Sequence, residues 1–400
     1  MKAVILAAGE GNRMRPLTYT RPKVMLPIAN KPILEHLLIA AMEAGVSEFI
    51  FIVGYHDEQV RRYFGGGDKW GVKIEYCTQR KQAGTADALK MVEGLVDGNF
   101  LMINGDIIVG QKDINGLVNG NVNTMSVFEV EDIKDLGLLE LKEGKVVGIY
   151  EKVAKPPSHW ANAGLYLFTP DIFAAVSQTS KSPRGEYEIT DSLQLLIDQE
   201  CSVSYQKINY WLDLSYPWDL LPANEFLLAE IEAQNLGEVE ENVVMKGVVS
   251  VGKGTIVRSG SYIVGPVMIG HDCDIGPNCY IRPHTSIGDG CHIGNAVEVK
   301  NSIIMNGSKI PHHNYVGDSV IGEGCNLGAG TKIANLRLDE QEIWVAGRDT
   351  KRRKLGAIIG DRVETGINAS INIGTMIGND THIGPGAVVS GVISPDSGIF

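Results

Sequence analysis

The first stretch able to do chemistry is Gly9-Glu10-Gly11-Asn12-Arg13, directly after the apolar run Ala3-Val4-Ile5-Leu6-Ala7. Glycines in such a turn let backbone N–H groups approach a phosphate chain, and Arg13 and Lys23 add cations nearby. It is not a Walker A loop, because no Gly-Lys-Ser/Thr follows. It is not a dinucleotide fingerprint, because Met14 stands where the third glycine would be. Taken alone, the loop reads equally well as a simple turn. Far along the chain, His312-His313-Asn314-Tyr315 offers imidazoles, whose ordinary pKa near ~6.5 suits proton transfer at neutral pH.

These groups need elements to hold them. Apolar, β-type runs lie at 3–7, 49–53, 72–77 and 99–103, and helical patterns at 32–45, 57–64, 85–96, 188–199 and 217–234. The alternation predicts βαβ units on a largely parallel sheet, with ligands beyond the carboxyl ends of the strands. Gly9-Glu10-Gly11 and Gly105-Asp106 both fall directly after a strand. The helix at 217–234 is expected to lead into a second part.

That second part carries a six-residue repeat over 251–394. Val251, Val257, Ile263, Ile269, Ile275, Ile281, Ile287, Ile293 and Val299 keep one phase; the frame slips by one residue at Ile304 and again at Ile321. It resumes at Ile359 and continues to Val389. Such a phase predicts a parallel β-helix of hexapeptide coils, each too small to bury its apolar face alone. Four cysteines, Cys273, Cys279, Cys291 and Cys325, stand four residues after an anchor, in a small inward slot that Thr or Ala fills elsewhere. The repeat is interrupted at about 334–358 by Asp339-Glu340-Gln341-Glu342 and then Arg348, Lys351, Arg352, Arg353 and Lys354. A segment thrown out of a solenoid can carry function, or can be a solvated charged loop.

Composition agrees with two architectures. Of 47 glycines, 21 lie in 1–237 and 26 in the shorter remainder. A net charge of −12 argues against non-specific binding to nucleic acid or membrane. Six cysteines without C-x-x-C spacing exclude a disulfide scaffold and a zinc ribbon, and a cytoplasmic setting is expected. The apolar N-terminus is too short for a signal peptide and reads as a buried strand.

The motifs of the first part together resemble the sugar-1-phosphate nucleotidylyltransferases. The matching residues are Gly9-x-Gly11-x-Arg13-x-x-Pro16-x-Thr18, Arg21-Pro22-Lys23, Gln79 with Gly84-Thr85-Ala86, Asn104-Gly105-Asp106, Glu151-Lys152, Asn162-Ala163-Gly164, Gly185 to Asp191, and Trp211-Leu212-Asp213. The resemblance covers essentially all of 1–236 and implies an α/β Rossmann-like domain. It implies attack of a sugar-1-phosphate on the α-phosphorus of a nucleoside triphosphate, UTP or dTTP. Leu6, Ala8, Gly9, Gly11, Gln79, Gly84 and Thr85 would bind the nucleotide. Arg13 would stabilise the leaving pyrophosphate and Lys23 would contact the transferred phosphate. Gly105, Glu151, Lys152 and Asn162 would bind the sugar phosphate, and Asp106 and Asp213 would hold Mg²⁺. Val153 stands where the family has a proline after Lys152.

Lys309-Ile310-Pro311-His312-His313-Asn314-Tyr315-Val316-Gly317-Asp318, followed by Asn326-Leu327-Gly328-Ala329-Gly330-Thr331, resembles the acetyltransferase half of the archaeal-type bifunctional enzymes that make UDP-N-acetylglucosamine. The resemblance implies a left-handed parallel β-helix over 237–400 and an acetyl-CoA-dependent N-acetylation of glucosamine-1-phosphate. His312 would be the base, with His313 as the competing choice; Tyr315 and Asn335 would complete the site. Gln341 stands where the bacterial pattern has a lysine, a role that Lys354 could supply. The resemblance also implies a homotrimer. Two other readings remain beside it: a glucose-1-phosphate nucleotidylyltransferase whose β-helix only oligomerises or regulates, and a non-catalytic sensing subunit.

Overall fold

The computed structural model describes residues 1–133, 136–151 and 157–400. The chain forms two compact units. One comprises Met1–Glu10, Arg21–Met25 and Ile33–Asp213; the other comprises Gly11–Thr20, Leu26–Pro32 and Leu214–Phe400.

The first unit is built on nine strands: β1 (Lys2–Ala7), β2 (Glu48–Val53), β3 (Lys73–Thr78), β4 (Phe100–Asn104), β5 (Thr124–Glu129), β6 (Gly137–Lys142), β7 (Lys145–Glu151), β8 (Trp160–Phe168) and β9 (Ser204–Lys207). Their order in the sheet is β3-β2-β1-β4-β8-β5-β9-β7-β6. The strands β3, β2, β1 and β4 are mutually parallel. The other half is mixed, because β8 runs antiparallel to both β4 and β5 and only β9 pairs β5 in parallel. The expectation of a largely parallel sheet therefore holds for one half only. Among the described residues between 124 and 168 there are strands and no helix that could carry a parallel crossover.

Both faces of β2, β1 and β4 are buried, which is why these strands read as apolar runs, whereas the edge strand β3 is only partly buried. Ala3, Ile5, Phe49, Phe51, Leu101 and Ile103 face one core, with α1 (Ile33–Glu43), α2 (Asp57–Phe64) and α4 (Gln111–Val118) over it. Val4, Ile50, Ile52, Phe100 and Met102 face the other, covered by α3 (Thr85–Lys90), α5 (Ile172–Gln178) and α6 (Ile189–Asp198).

In the second unit the repeat is a left-handed parallel β-helix of three sheets, with nine, nine and eight strands. Val249 pairs Val267, Ile256 pairs Asp274 and Tyr262 pairs Tyr280, so each turn of the coil adds one rung to every sheet. The anchors from Val257 to Ile293 are buried in a single continuous core. The coil begins earlier than 251, since Gln234–Asn235 and Glu238–Val239 are already rungs and Val239 and Met245 keep the phase. The last helix, α7 (Leu220–Leu228), ends well short of 234. Val239 and Val244 lie on the terminal coil, with no coil beneath them, and are exposed.

The frame slips have a structural meaning. Ile287 pairs Ile304 and Ile304 pairs Ile321, so two successive coils are one residue short at the same corner. The next coil carries the interruption there instead, and the ladder resumes directly from Ile321 to Ile359. The inserted segment forms a small hairpin, Trp344–Val345 against Arg348–Asp349, tied at its base by a bridge between Leu336 and Lys354. Ile343, Val345 and Leu355 are buried, which gives the excursion a packed foot. Cys273, Cys279, Cys291 and Cys325 are all buried and free, and burial pushes the Cys325 thiol up to about 12. Buried in this way, the thiols pack as small apolar groups. Among the described residues no helix is long and apolar enough to cross a membrane.

Candidate active sites

In the first unit, the carboxyl ends of β1 and β4 converge. Gly105 N–H donates to the Leu6 carbonyl at 2.9 Å, and a Cβ on Gly105 would lie 2.3 Å from that oxygen, so only glycine allows the chains this close. The next residue, Asp106, accepts a hydrogen bond from Lys23 Nζ at 2.8 Å, with the lysine side chain largely buried. Trp211–Asp213 pairs antiparallel with Ile107–Val109, in a register that sets Asp213 opposite Ile107. Lys23 and Asp106 are thus paired at the strand ends, and the register brings Asp213 alongside the residue that follows Asp106. Ala8 closes this edge, its carbonyl accepting from Tyr55 N–H and from Gln82 Nε2.

Gln79 is buried, and its Nε2 donates to the Gly84 carbonyl at 3.2 Å and to Asp87 Oδ2 at 2.8 Å. Both partners are acceptors, which fixes the amide orientation and leaves Oε1 to accept. Gly84 (φ +117°) approaches Tyr187 so closely that a Cβ would stand 2.2 Å from its carbonyl oxygen. Thr85 Oγ1 accepts from Ile189 N–H, which locks this turn to the start of α6. Asn162 donates to the Tyr166 hydroxyl at 2.8 Å, and complete burial pushes that phenol's pKa well up. Glu151 contacts Arg184 at 3.4 Å, and Arg184 also pairs with Glu188. Lys152 lies outside the described residues. Sequence reasoning missed Arg184; its position just before the Gly185 motif was the available signal.

In the second unit, Gly11 opens a short turn of 3-10 helix, Asn12–Met14, and its carbonyl accepts from Met14 N–H and Thr18 Oγ1. The segments on either side of Lys23 dock on the coil. Asn30 Nδ2 donates to the Ile287 carbonyl at 2.7 Å, Ala29 N–H donates to Asn224 on α7, and Thr20 is hydrogen-bonded to Asp361. Arg13 lies over the ring of Tyr216, 5.5 Å from its centroid.

The corner of the short coils forms the other cluster. His312 ends the strand Lys309–His312, opposite Asn295, and is exposed; among the described residues its imidazole makes no hydrogen bond. The Tyr315 hydroxyl lies with the Asn335 amide beside Gly317, and burial, with the charges of Glu298 and Asp318, raises its pKa. Asp318 is buried and ties the corner together. Its carboxylate accepts from Lys300 Nζ at 3.0 Å, from Asn301 Nδ2 at 2.8 Å and from Asn335 Nδ2. Leu355 N–H donates to the Asn335 carbonyl, and Gly356 N–H to the Asp318 carbonyl. Asn335 and Lys354 thus sit at the two sides of the insertion's base, with Lys354 exposed. The structure joins Tyr315, Asn335 and Asp318 and leaves His312 and Lys354 turned to solvent. Asp318 carried no role in the sequence reading, although the one-residue frame slip marks its corner.

Residues 2–230 match the Nucleotidyl transferase family. Across 404 residues, all of this chain and 97% of the relative, it is 41% identical to the "Bifunctional protein GlmU" of Methanocaldococcus jannaschii. The chain belongs to the family of bifunctional sugar-1-phosphate nucleotidylyltransferase/acetyltransferases. It is also 41% identical to the Sulfurisphaera tokodaii protein of that description, over 98% of this chain and 97% of the relative. Residues 263–397 match a family described as the GMPPB C-terminal domain. A crystal structure of a putative glucose-1-phosphate thymidylyltransferase from Bacillus anthracis, in complex with sucrose, is similar at a TM-score of 0.53 and 28% identity. The match covers 59% of this chain and 98% of that one.

Proposed function

We propose that the chain makes UDP-N-acetylglucosamine in two steps: N-acetylation of glucosamine-1-phosphate by acetyl-CoA, then transfer of a uridylyl group from UTP with release of pyrophosphate. One observation carries this reading: over 98% of its length the chain matches a relative named as a bifunctional sugar-1-phosphate nucleotidylyltransferase/acetyltransferase. We assign the second step to 1–236 and the first to 237–400.

For nucleotidyl transfer, two polyanions must be held together, so positioning and charge neutralisation dominate. Lys23, already buried against Asp106, would contact the transferred phosphate, and Arg13 would meet the leaving pyrophosphate with a forked pair of hydrogen bonds. Gln79 Oε1 would accept from the N3–H of the base, with Gly84 and Thr85 shaping the turn around it and Leu6, Ala8, Gly9 and Gly11 offering backbone groups. Glu151, Asn162 and Gly105 would bind the sugar phosphate, and Lys152 takes the same role by resemblance. The carboxylates of Asp106 and Asp213 suit Mg²⁺, which needs few protein ligands and keeps phosphate oxygens and water as the rest. When bound, that ion would neutralise phosphate charge.

For acetyl transfer, the sugar amine is an ammonium ion at neutral pH and must lose its proton before it attacks a thioester. His312, exposed at a strand end, would take that proton. Tyr315 and Asn335, held against Asp318, would orient the amine and the acetyl group, and Lys354 would meet a phosphate of acetyl-CoA. A homotrimer in the cytoplasm is part of the same proposal.

The decisive experiment follows pyrophosphate and free CoA on one preparation with a panel of sugar phosphates and both UTP and dTTP. Both products should form with glucosamine-1-phosphate and UTP. Absence of CoA release with every amino sugar would reduce the chain to a nucleotidylyltransferase. Light scattering in solution tests the trimer.

A further inference from the structure

Tyr216 holds two arginines. Arg13 lies 5.5 Å from the ring centroid, and Arg348, at the turn of the insertion hairpin, lies 5.0 Å from it. The ring is a rigid shelf. It stacks on Trp218 at 5.0 Å and 10°, and the Tyr216 backbone N–H donates to Asp219 Oδ2 at 2.6 Å. Among the described residues neither guanidinium has a carboxylate partner. Two cations gathered on one ring repel each other, and the ring's quadrupole offsets only part of that. An anion with several oxygens, bound by both forks, would relieve it. The Tyr216 hydroxyl oxygen is also buried with no hydrogen-bond partner among the described residues.

We infer that Arg348, delivered by the β-helix insertion, is a second arginine for the pyrophosphate moiety of the nucleotide, and that Tyr216 is the positioning residue whose ring holds both guanidiniums. This rests on the reading of Arg13 as the pyrophosphate contact. It gives the insertion a part in nucleotidyl transfer as well as in the acetyl site at its base.

The test uses the full chain with Mg²⁺ in the reverse direction, forming UTP from UDP-N-acetylglucosamine and pyrophosphate. Arg348→Ala should raise KM for pyrophosphate about tenfold and leave KM for the nucleotide sugar unchanged. Added salt should narrow the gap to the parent, a response that loss of packing alone would not give. Arg348→Lys, which keeps the charge on an exposed turn, should fall between the two and keeps the test readable if alanine loosens the hairpin. An unchanged pyrophosphate KM in both variants overturns the inference. Arg13→Ala is the separate arm: if it too leaves that KM unchanged, the reading of Arg13 fails first.

Discussion

The Asp318 carboxylate accepts a hydrogen bond from the Asn335 side chain, although a full coil of the β-helix lies between them in sequence. The same carboxylate holds Lys300 and Asn301 from the coil before. Three coils and the root of the insertion therefore share one anion. Asp318→Ala should destabilise the chain by about 2–3 kcal/mol, because Lys300 loses its partner in a largely buried place. Asp318→Asn should keep most of that stability but let Asn335 swing, lowering acetyl-transfer kcat roughly a hundredfold with nucleotidyl transfer intact. Thermal melts and the paired product assay read both. Equal losses in the two activities would mean a global defect.

His312→Gln should cut CoA release by about a hundredfold or more, since a general base contributes at least that much. Pyrophosphate release should continue.

Tyr315 gives a pH test. Burial and the neighbouring carboxylates raise its pKa, so the phenol stays protonated at and above neutral pH and serves as a donor. Tyr315→Phe should lower kcat/KM for acetyl transfer without moving either limb of its pH profile. Loss of an alkaline limb in the variant would show that the tyrosine ionises in the working range.

Asp106→Asn should remove Mg²⁺-dependent pyrophosphate release by at least about a hundredfold and spare CoA release. A chelator should do the same to the parent, reversibly. Nucleotidyl transfer that survives chelation would argue against the carboxylate pair as the metal site.

Gly84→Ala tests the turn beneath Gln79. The backbone is at φ +117° and a Cβ would meet the Tyr187 carbonyl at 2.2 Å. A loss of about 2 kcal/mol or more is expected, seen as a lower melting temperature. A neutral result would show that the α3 and α6 starts can move apart freely.

Much of this was written in the chain. The six-residue phase identified the solenoid, and both its slips are real corners, because one inward residue in six leaves no freedom to mis-set the register. The runs that became β1, β2 and β4 were legible because both faces of those strands are buried. The strands at 124–168 were not, since Glu129, Glu140 and Lys142 on a mixed edge break any simple alternation. Lys23 and Asp106 stood out as motif members, but their 2.8 Å contact depends on strand order, which no local pattern records. Asp318 and Arg184 escaped for the same reason: each matters through a partner away from it in sequence.

The ladder passes straight from Ile321 to Ile359, so the spine of the solenoid is the same whether the arm between them is long or short. Doubling such an arm adds only about 0.6 kcal/mol of closure cost. The arm is thus a cassette: related chains could exchange or regrow it, and with it the chemistry it presents, while inheriting an unaltered scaffold.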